Sequence, residues 1–244
     1  MKLNFTKIKG IHQLGTVPLL TGIACLLAVS ISSCTKSSNS PNTNVPFGLL
    51  SVVDASPDAP AADFYINSSL VNASPLTYGN FIPYFEATVG ADKAGFFDTG
   101  NLTPIAIDSI NIKSNQVYTL FFSNLVAKHD FLLVTDTVVA PANSEASIRL
   151  VNMSPNAPNV DLVIGGKVIV ANKSYKQASS FITIPVASND TLKIVQTGTS
   201  NLLGVVNAVT VQSEGVYTVW LYGFVNGTNG QGLNANLMQN AIFY

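Results

Sequence analysis

The chain has 244 residues, of which 47% are hydrophobic and only 10% charged. That length suits one large domain or two of about 100 residues, and the apolar content supports a packed core, which excludes general disorder. Thirteen acidic against twelve basic residues leave no positive field of the kind that draws nucleic acid to a protein.

Residues 1–33 read as a targeting segment. Lys2, Lys7 and Lys9 form a positive start, and Val17 to Ile31 is an apolar run interrupted mainly by small residues. The run is shorter than the roughly 20 residues a membrane-spanning helix needs, and it suits the apolar region of a secretory signal. It ends in Ile31-Ser32-Ser33-Cys34, a branched apolar residue and two small ones before a cysteine. This resembles the bacterial lipobox. The resemblance implies diacylglycerol attached to Cys34 through a thioether, cleavage before it, and a membrane anchor through that lipid. Cys25 is the poorer candidate, because Gly22 occupies the apolar position. With Cys34 as N-terminus no free thiol remains and no disulfide framework is open to the mature chain. All acidic residues follow Cys34 and three of the basic ones precede it, so the mature part carries nine basic against thirteen acidic residues, a net −4.

The expected address is the cell envelope, at the outer membrane, on the periplasmic face or the cell surface. The stretch after Cys34 lacks the acidic cluster associated with surface export in some bacterial lipoproteins, which favours the periplasmic face. Residues 34–46 are the lipidated cysteine and a linker of Ser, Asn, Thr and Pro that cannot bury a core.

The organising pattern comes next, and it occurs twice. Val53-Asp54-Ala55-Ser56-Pro57-Asp58-Ala59-Pro60 through Asp63 and Ile66 returns as Val151-Asn152-Met153-Ser154-Pro155-Asn156-Ala157-Pro158 through Asp161 and Ile164. Self-similarity at a fixed offset sets the architecture, and here it gives two modules, residues 47–140 and 146–244. In the first, Leu50, Val52 and Asp54 alternate as in a half-buried strand. Ser56 to Pro60 forms a turn, and a short strand over Asp63–Ile66 leads into a hairpin at Asn67-Ser68. Tyr84–Val89, Ile105–Ile112, Val117–Leu125 and Phe131–Val134 are further strands, separated by turns such as Asp98-Thr99-Gly100-Asn101. In the second, Gly165-Gly166 supplies the positive φ of a tight hairpin, Phe181–Val186 replaces Tyr84–Val89, and Val216-Tyr217-Thr218-Val219-Trp220 matches Val117-Tyr118-Thr119-Leu120-Phe121. The junction falls at Pro141 to Glu145. No segment has a convincing helical period. The fold class expected is all-β: two tandem Ig-like or transthyretin-like antiparallel β-sandwiches of about seven strands each.

The Ser-Pro-Asp-Ala-Pro run, the Asp and β run after it, the later Tyr-Thr strand and the Arg149-Leu150-Val151-Asn152 restart resemble the bacterial domain-of-unknown-function 4397 family over about residues 48–244. That resemblance implies a secreted or lipid-anchored β-sandwich, often in repeated copies. It implies no established activity and carries over no catalytic residues.

The chemistry-bearing residues are sparse. After Cys34 the one histidine is His129, no serine sits in a Gly-x-Ser-x-Gly elbow, and no cysteine pair or second histidine supports zinc. Glu145 and Glu214 fall in junction and turn contexts, which argues against a glycosidase pair. No enzyme and no cofactor are expected. Asp54, Asp58 and Asp63 are spaced to put three carboxylates around one turn, a candidate calcium site, although Asn152 and Asn156 at the first two equivalent positions favour turn-capping roles. Trp220, Tyr222 and Phe224 alternate on one strand face, a candidate ligand platform that competes with core packing. Ser109, Thr137 and Thr191, each after Asp and before an aliphatic residue, resemble envelope O-glycosylation acceptors.

The leading expectation is a lipid-anchored, non-enzymatic binding or adhesion module whose ligand is a glycan or an envelope protein. The alternatives are a structural spacer or assembly subunit, and a carbohydrate-active enzyme. A binding module requires an exposed aromatic or polar cluster on one face. A spacer requires close contact between the modules. An enzyme requires a deep cleft with convergent titratable groups.

Overall fold

A computed structural model describes residues 3–4 and 45–243. Apart from residues 3–4, the expected signal segment, Cys34 and the expected linker up to residue 44 lie outside the described residues. Apart from β1 (Leu3–Asn4), which pairs with the last strand, the strands fall into two sets. Module one contains β2 (Phe47–Ala55), β3 (Ala62–Ile66), β4 (Ser69–Leu70), β5 (Phe81–Thr88), β6 (Gly90–Asp98), β7 (Pro104–Ile112), β8 (Val117–Ser123) and β9 (Asp130–Thr135). Module two contains β10 (Glu145–Asn152), β11 (Val160–Ile164), β12 (Lys167–Lys173), β13 (Gln177–Ala178), β14 (Ile182–Pro185), β15 (Ala187–Gln196), β16 (Leu202–Val211), β17 (Gly215–Tyr222) and β18 (Asn234–Phe243). Among the described residues the only helical element is one 3₁₀ turn, Val126–Lys128.

The chain is all-β, as its periodicity requires, with eight strands in module one rather than seven. They form two sheets, β5-β2-β8-β9 and β4-β3-β6-β7. Module two repeats this as β18-β17-β10 with β13 and β14 both on β10, facing β12-β11-β15-β16, so that β13 and β14 are β5 interrupted. In both modules the first strand runs parallel to the strand before the last, β2 with β8 and β10 with β17. The hairpins lie where expected: Asn67 has φ 53° and Gly165 and Gly166 have φ 55° and 77°. The strand missing from the sequence reading of module one is β6, whose Gly90-Ala91-Asp92-Lys93-Ala94-Gly95 start breaks the alternation of apolar residues.

Alternate residues explain how the sheets stack. In β8, Tyr118, Leu120 and Phe122 face the core of module one, while Phe121 faces the other way. In β17, Tyr217, Val219 and Leu221 face the core of module two, and Trp220 and Tyr222 face away from it. Those outward residues meet. Val53, Ala55 and Phe121 of module one pack with Val151, Met153, Trp220, Tyr222 and Met238 of module two in one buried cluster. The β5-β2-β8-β9 sheet therefore lies face to face with β18-β17-β10, both apolar on two sides as strands covered on both faces must be. Full burial of each large side chain here contributes about 1.5–3 kcal/mol. Both modules fall in one compact unit.

Candidate functional site

The repeated motif is a clamp in both modules. The Ser56 hydroxyl donates to the carbonyl of Asn124 (2.6 Å), and the Ser154 hydroxyl donates to that of Gly223 (2.6 Å). Asp58 Oδ1 accepts from the N–H of Val126 (2.8 Å), and Asn156 Oδ1 accepts from that of Val225 (2.8 Å). Asp54 and Asn152 each accept from the serine N–H two residues on, at 2.9 and 3.0 Å. Asp63 accepts from Gly100 N–H (3.3 Å), and Asp161 from Gly198 N–H (3.4 Å). The motif thus ties the first turn to the loops after β8 and β17.

This corrects the calcium expectation. Asp54, Asp58 and Asp63 turn to three different partners, and among the described residues no group of three or more His, Cys, Asp or Glu side chains could hold a metal ion. Asp54 is fully buried, and burial pushes its carboxyl up to about 8, opposed by the Ser56 N–H and reinforced by Asp58. His129 is exposed, and its Nδ1–H donates to the Val126 carbonyl (3.0 Å).

The aromatic trio is corrected too. Trp220 is 0% and Tyr222 6% exposed. Trp220 packs edge-on to Phe81 with ring centroids 6.2 Å apart, and Tyr222 to Tyr78 at 5.0 Å. Both residues hold the seam between modules, and Phe224 sits half-buried in the loop beyond. They offer no platform to a ligand. Of the three acceptor-like residues, Ser109 and Thr137 are exposed and Thr191 is half-buried.

The seam also contains a buried polar network. Arg149, the one arginine of the chain, pairs with Asp136 at 2.6 Å, where both side chains are almost wholly inaccessible. Its Nε donates to Thr218 (2.8 Å) and its Nη2 to Thr119 (3.3 Å), with Phe181 stacked 4.7 Å from the guanidinium carbon. Asp136 also accepts from Thr119 (2.6 Å) and from Tyr84 (2.5 Å), whose oxygen accepts from Asn240 (2.7 Å). Burial and the Asp136 charge both raise the Tyr84 pKa above the usual phenol range. At the opposite end Lys176 reaches Asp130 (2.7 Å), to which Tyr175 also donates (2.8 Å).

A half-buried aromatic pair flanked by exposed aliphatic residues lies on the face of module one turned away from the seam. Phe64 and Phe96 point into the core, which turns Tyr65, Gly95 and Phe97 outward. The register places Leu70, Tyr65, Gly95 and Ile107 side by side across the four strands β4, β3, β6 and β7. Leu70 is 53% and Ile107 46% exposed. The Tyr65 and Phe97 rings meet edge to face at 5.2 Å. A Cβ at Gly95 would lie 2.6 Å from Phe97 Cε2, so the ring needs a glycine beneath it. Asp63 stands beside Phe97 in register, and Lys93 and Ser109 continue the face on the other side.

Module two has the same row without the rings. Val168, Val163, Lys193 and Val205 replace Leu70, Tyr65, Gly95 and Ile107. The duplication thus holds its own comparison: the backbone of the row is kept, and only one copy carries aromatic side chains over a glycine.

Residues 48–163 and 146–238 each match the family described as "Domain of unknown function (DUF4397)". The chain belongs to the DUF4397 family. The first match runs past the junction into β11, so the DUF4397 copies overlap across the strands that rebuild the motif. No curated protein matches the chain. Among solved structures, the carbohydrate-binding module CBMbc (family CBM26) of Eubacterium rectale Amy13K, in complex with maltoheptaose, covers 78% of this DUF4397 chain and 96% of its own, at 12% identity and a TM-score of 0.28. At that score the likeness carries no argument about ligand.

Proposed function

We propose that this protein is a non-enzymatic, lipid-anchored binding module of the cell envelope that takes a saccharide on the outer face of module one. The observation that carries the reading is the half-buried, outward-facing Tyr65–Phe97 pair over Gly95, where module two has Val163, Val195 and Lys193. Two rings fixed at right angles give a sugar a flat apolar face for its C–H bonds and an edge beside it. Asp63 supplies an acceptor, and Lys93 and Ser109 supply donors, for hydroxyls at the rim. The cluster is small and bordered by polar groups, which suits a glycan better than a large protein interface. The Ile31-Ser32-Ser33-Cys34 sequence supports the anchor.

The seam favours a second role alongside the first. Two modules packed face to face through a buried cluster form a stiff body, which suits a spacer that holds the Tyr65–Phe97 face away from the membrane.

A glycan array and envelope-polysaccharide screen on the full chain, with Tyr65→Ala and Phe97→Ala variants, tests the reading. Saturable binding lost in both variants at unchanged melting temperature is the expected result. Binding that survives both, or no binding to any glycan, leaves the spacer role alone.

A further inference from the structure

A cleft lies at the seam, away from the aromatic face. The segment 136–142 between β9 and β10, the start of β10 and the β13–β14 region enclose a cleft of about 650 Å³, within the range that holds small ligands, about 300–1,000 Å³. Arg149 and Phe181 line it. Arg149 is 1% exposed, and its Nε and Nη2 are engaged by Thr218, Thr119 and Asp136, while among the described residues Nη1 has no protein partner. Around it stand Thr135, Thr137, Ser147, Ser180 and Thr183. None of these five hydroxyls is bonded within the described protein, whereas Ser179 between them bonds Ser180 and Leu150.

The chemistry of the lining selects among ligands. No Lys, Asp or Glu side chain lines the cleft, and the one charge there is neutralised by Asp136 at 2.6 Å. A charged ligand would lose its hydration without gaining a free countercharge. An added β-strand is disfavoured as well, because Pro141 on one wall and Pro185 at the end of β14 remove backbone donors that such pairing needs. What remains is a ligand that both donates and accepts many neutral hydrogen bonds. We propose that this cleft binds a neutral, hydroxyl-rich ligand, a short uncharged oligosaccharide, with the free Nη1 of Arg149 donating to a ring or hydroxyl oxygen and the five hydroxyls exchanging bonds around it. The site is independent of the Tyr65–Phe97 face and stands whether or not that face binds.

The chain reports on this site directly, because its only arginine gives a single Nε–Hε resonance. The full chain is labelled with ¹⁵N and titrated with cellotriose, maltotriose and tri-N-acetylchitotriose, and with trigalacturonate as the anionic control. Saturable movement of the Arg149 Nε–Hε signal with a neutral trisaccharide is expected. It is abolished by Thr183→Trp, which fills the cleft from an exposed position, and kept in Phe97→Ala. Ser180→Trp serves as the second filling variant, and an unshifted Nε–Hε peak before titration shows that either variant retains the seam. No movement with any neutral sugar, movement with trigalacturonate alone, or movement that persists in both filled variants overturns the proposal. Loss of glycan binding in Phe97→Ala with the Arg149 response intact separates this site from the outer face.

Discussion

Arg149 Nη2 lies 2.6 Å from Asp136 Oδ1, and the two residues come from opposite sides of the junction between modules. Removing one partner from such a pair leaves the other charged and dehydrated. Arg149→Met is therefore expected to lower unfolding free energy by about 3–5 kcal/mol, read from urea denaturation. Arg149→Met combined with Asp136→Leu should recover part of that loss, since the stranded carboxylate is gone. A double variant no better than the single one would mean that the arginine acts through packing on Phe181 alone.

The serine clamps give a second expectation. Ser56→Ala leaves the Asn124 carbonyl without its donor, and Ser154→Ala does the same to Gly223. Each should cost about 1–3 kcal/mol, similar in the two modules because the geometry is the same. Losses near zero in the same urea experiment would show that the loops are held by Asp58 and Asn156 instead.

Asp54 predicts a pH dependence whose sign is opposite to that of a salt-bridged acid. Its carboxyl is raised by burial from 3.8 to about 8. Between those two values the unfolded chain loses the proton while the folded one keeps it, so this group's contribution falls as pH rises, by at most about 1.4 kcal/mol per pH unit. The contribution is fully favourable below the lower value and flat above the higher. Asn152 fills the same place in module two with a neutral amide. Asp54→Asn should therefore gain stability over the parent at pH 8 and lose that advantage at pH 4, measured by melting temperature across the range. Parallel curves for parent and variant would sink the idea.

Trp220 is the only tryptophan of the chain and lies in the seam with no solvent access. Its fluorescence reports on separation of the modules, and far-UV circular dichroism reports on the strands of both. The shared cluster predicts coincident denaturation curves. A fluorescence transition that precedes the loss of strand signal would show that the modules part before they unfold.

Local chemistry was readable along the chain. Gly165-Gly166 and Asn67 announce hairpins because few residues tolerate positive φ, and the doubled Ser-Pro run announces the duplication. The seam was not readable: Trp220 shows two apolar strand faces, but its partner Phe81 is far upstream, and periodicity does not say what covers a face. The aromatic face was missed for a related reason. Phe64-Tyr65 and Phe96-Phe97 are adjacent aromatic pairs, and only the inward alternation of Ala62, Phe64 and Ile66 marks Tyr65 as outward. Phe97 follows once the β3–β6 register is known, and β6 itself was hidden by its polar, glycine-bearing start.

The seam is built from matching positions of the two modules: Val53 and Val151, Ala55 and Met153, Phe121 and Trp220. Contacts are reciprocal, with residues before and along β5 meeting β17 and β18, and Tyr175, before β13, meeting β8 and β9. Such self-complementarity is the signature of an isologous interface, the kind that joins identical subunits about a twofold axis. Arg149 bonds both Thr119 and Thr218, which are equivalents, and so it sits close to that axis. Two identical subunits would bring two guanidinium groups together there. Covalent tandem linkage removes that constraint, for the position equivalent to Arg149 is Ser51. One chain can thus keep a dimer's geometry while placing a single, unduplicated ion pair at its centre.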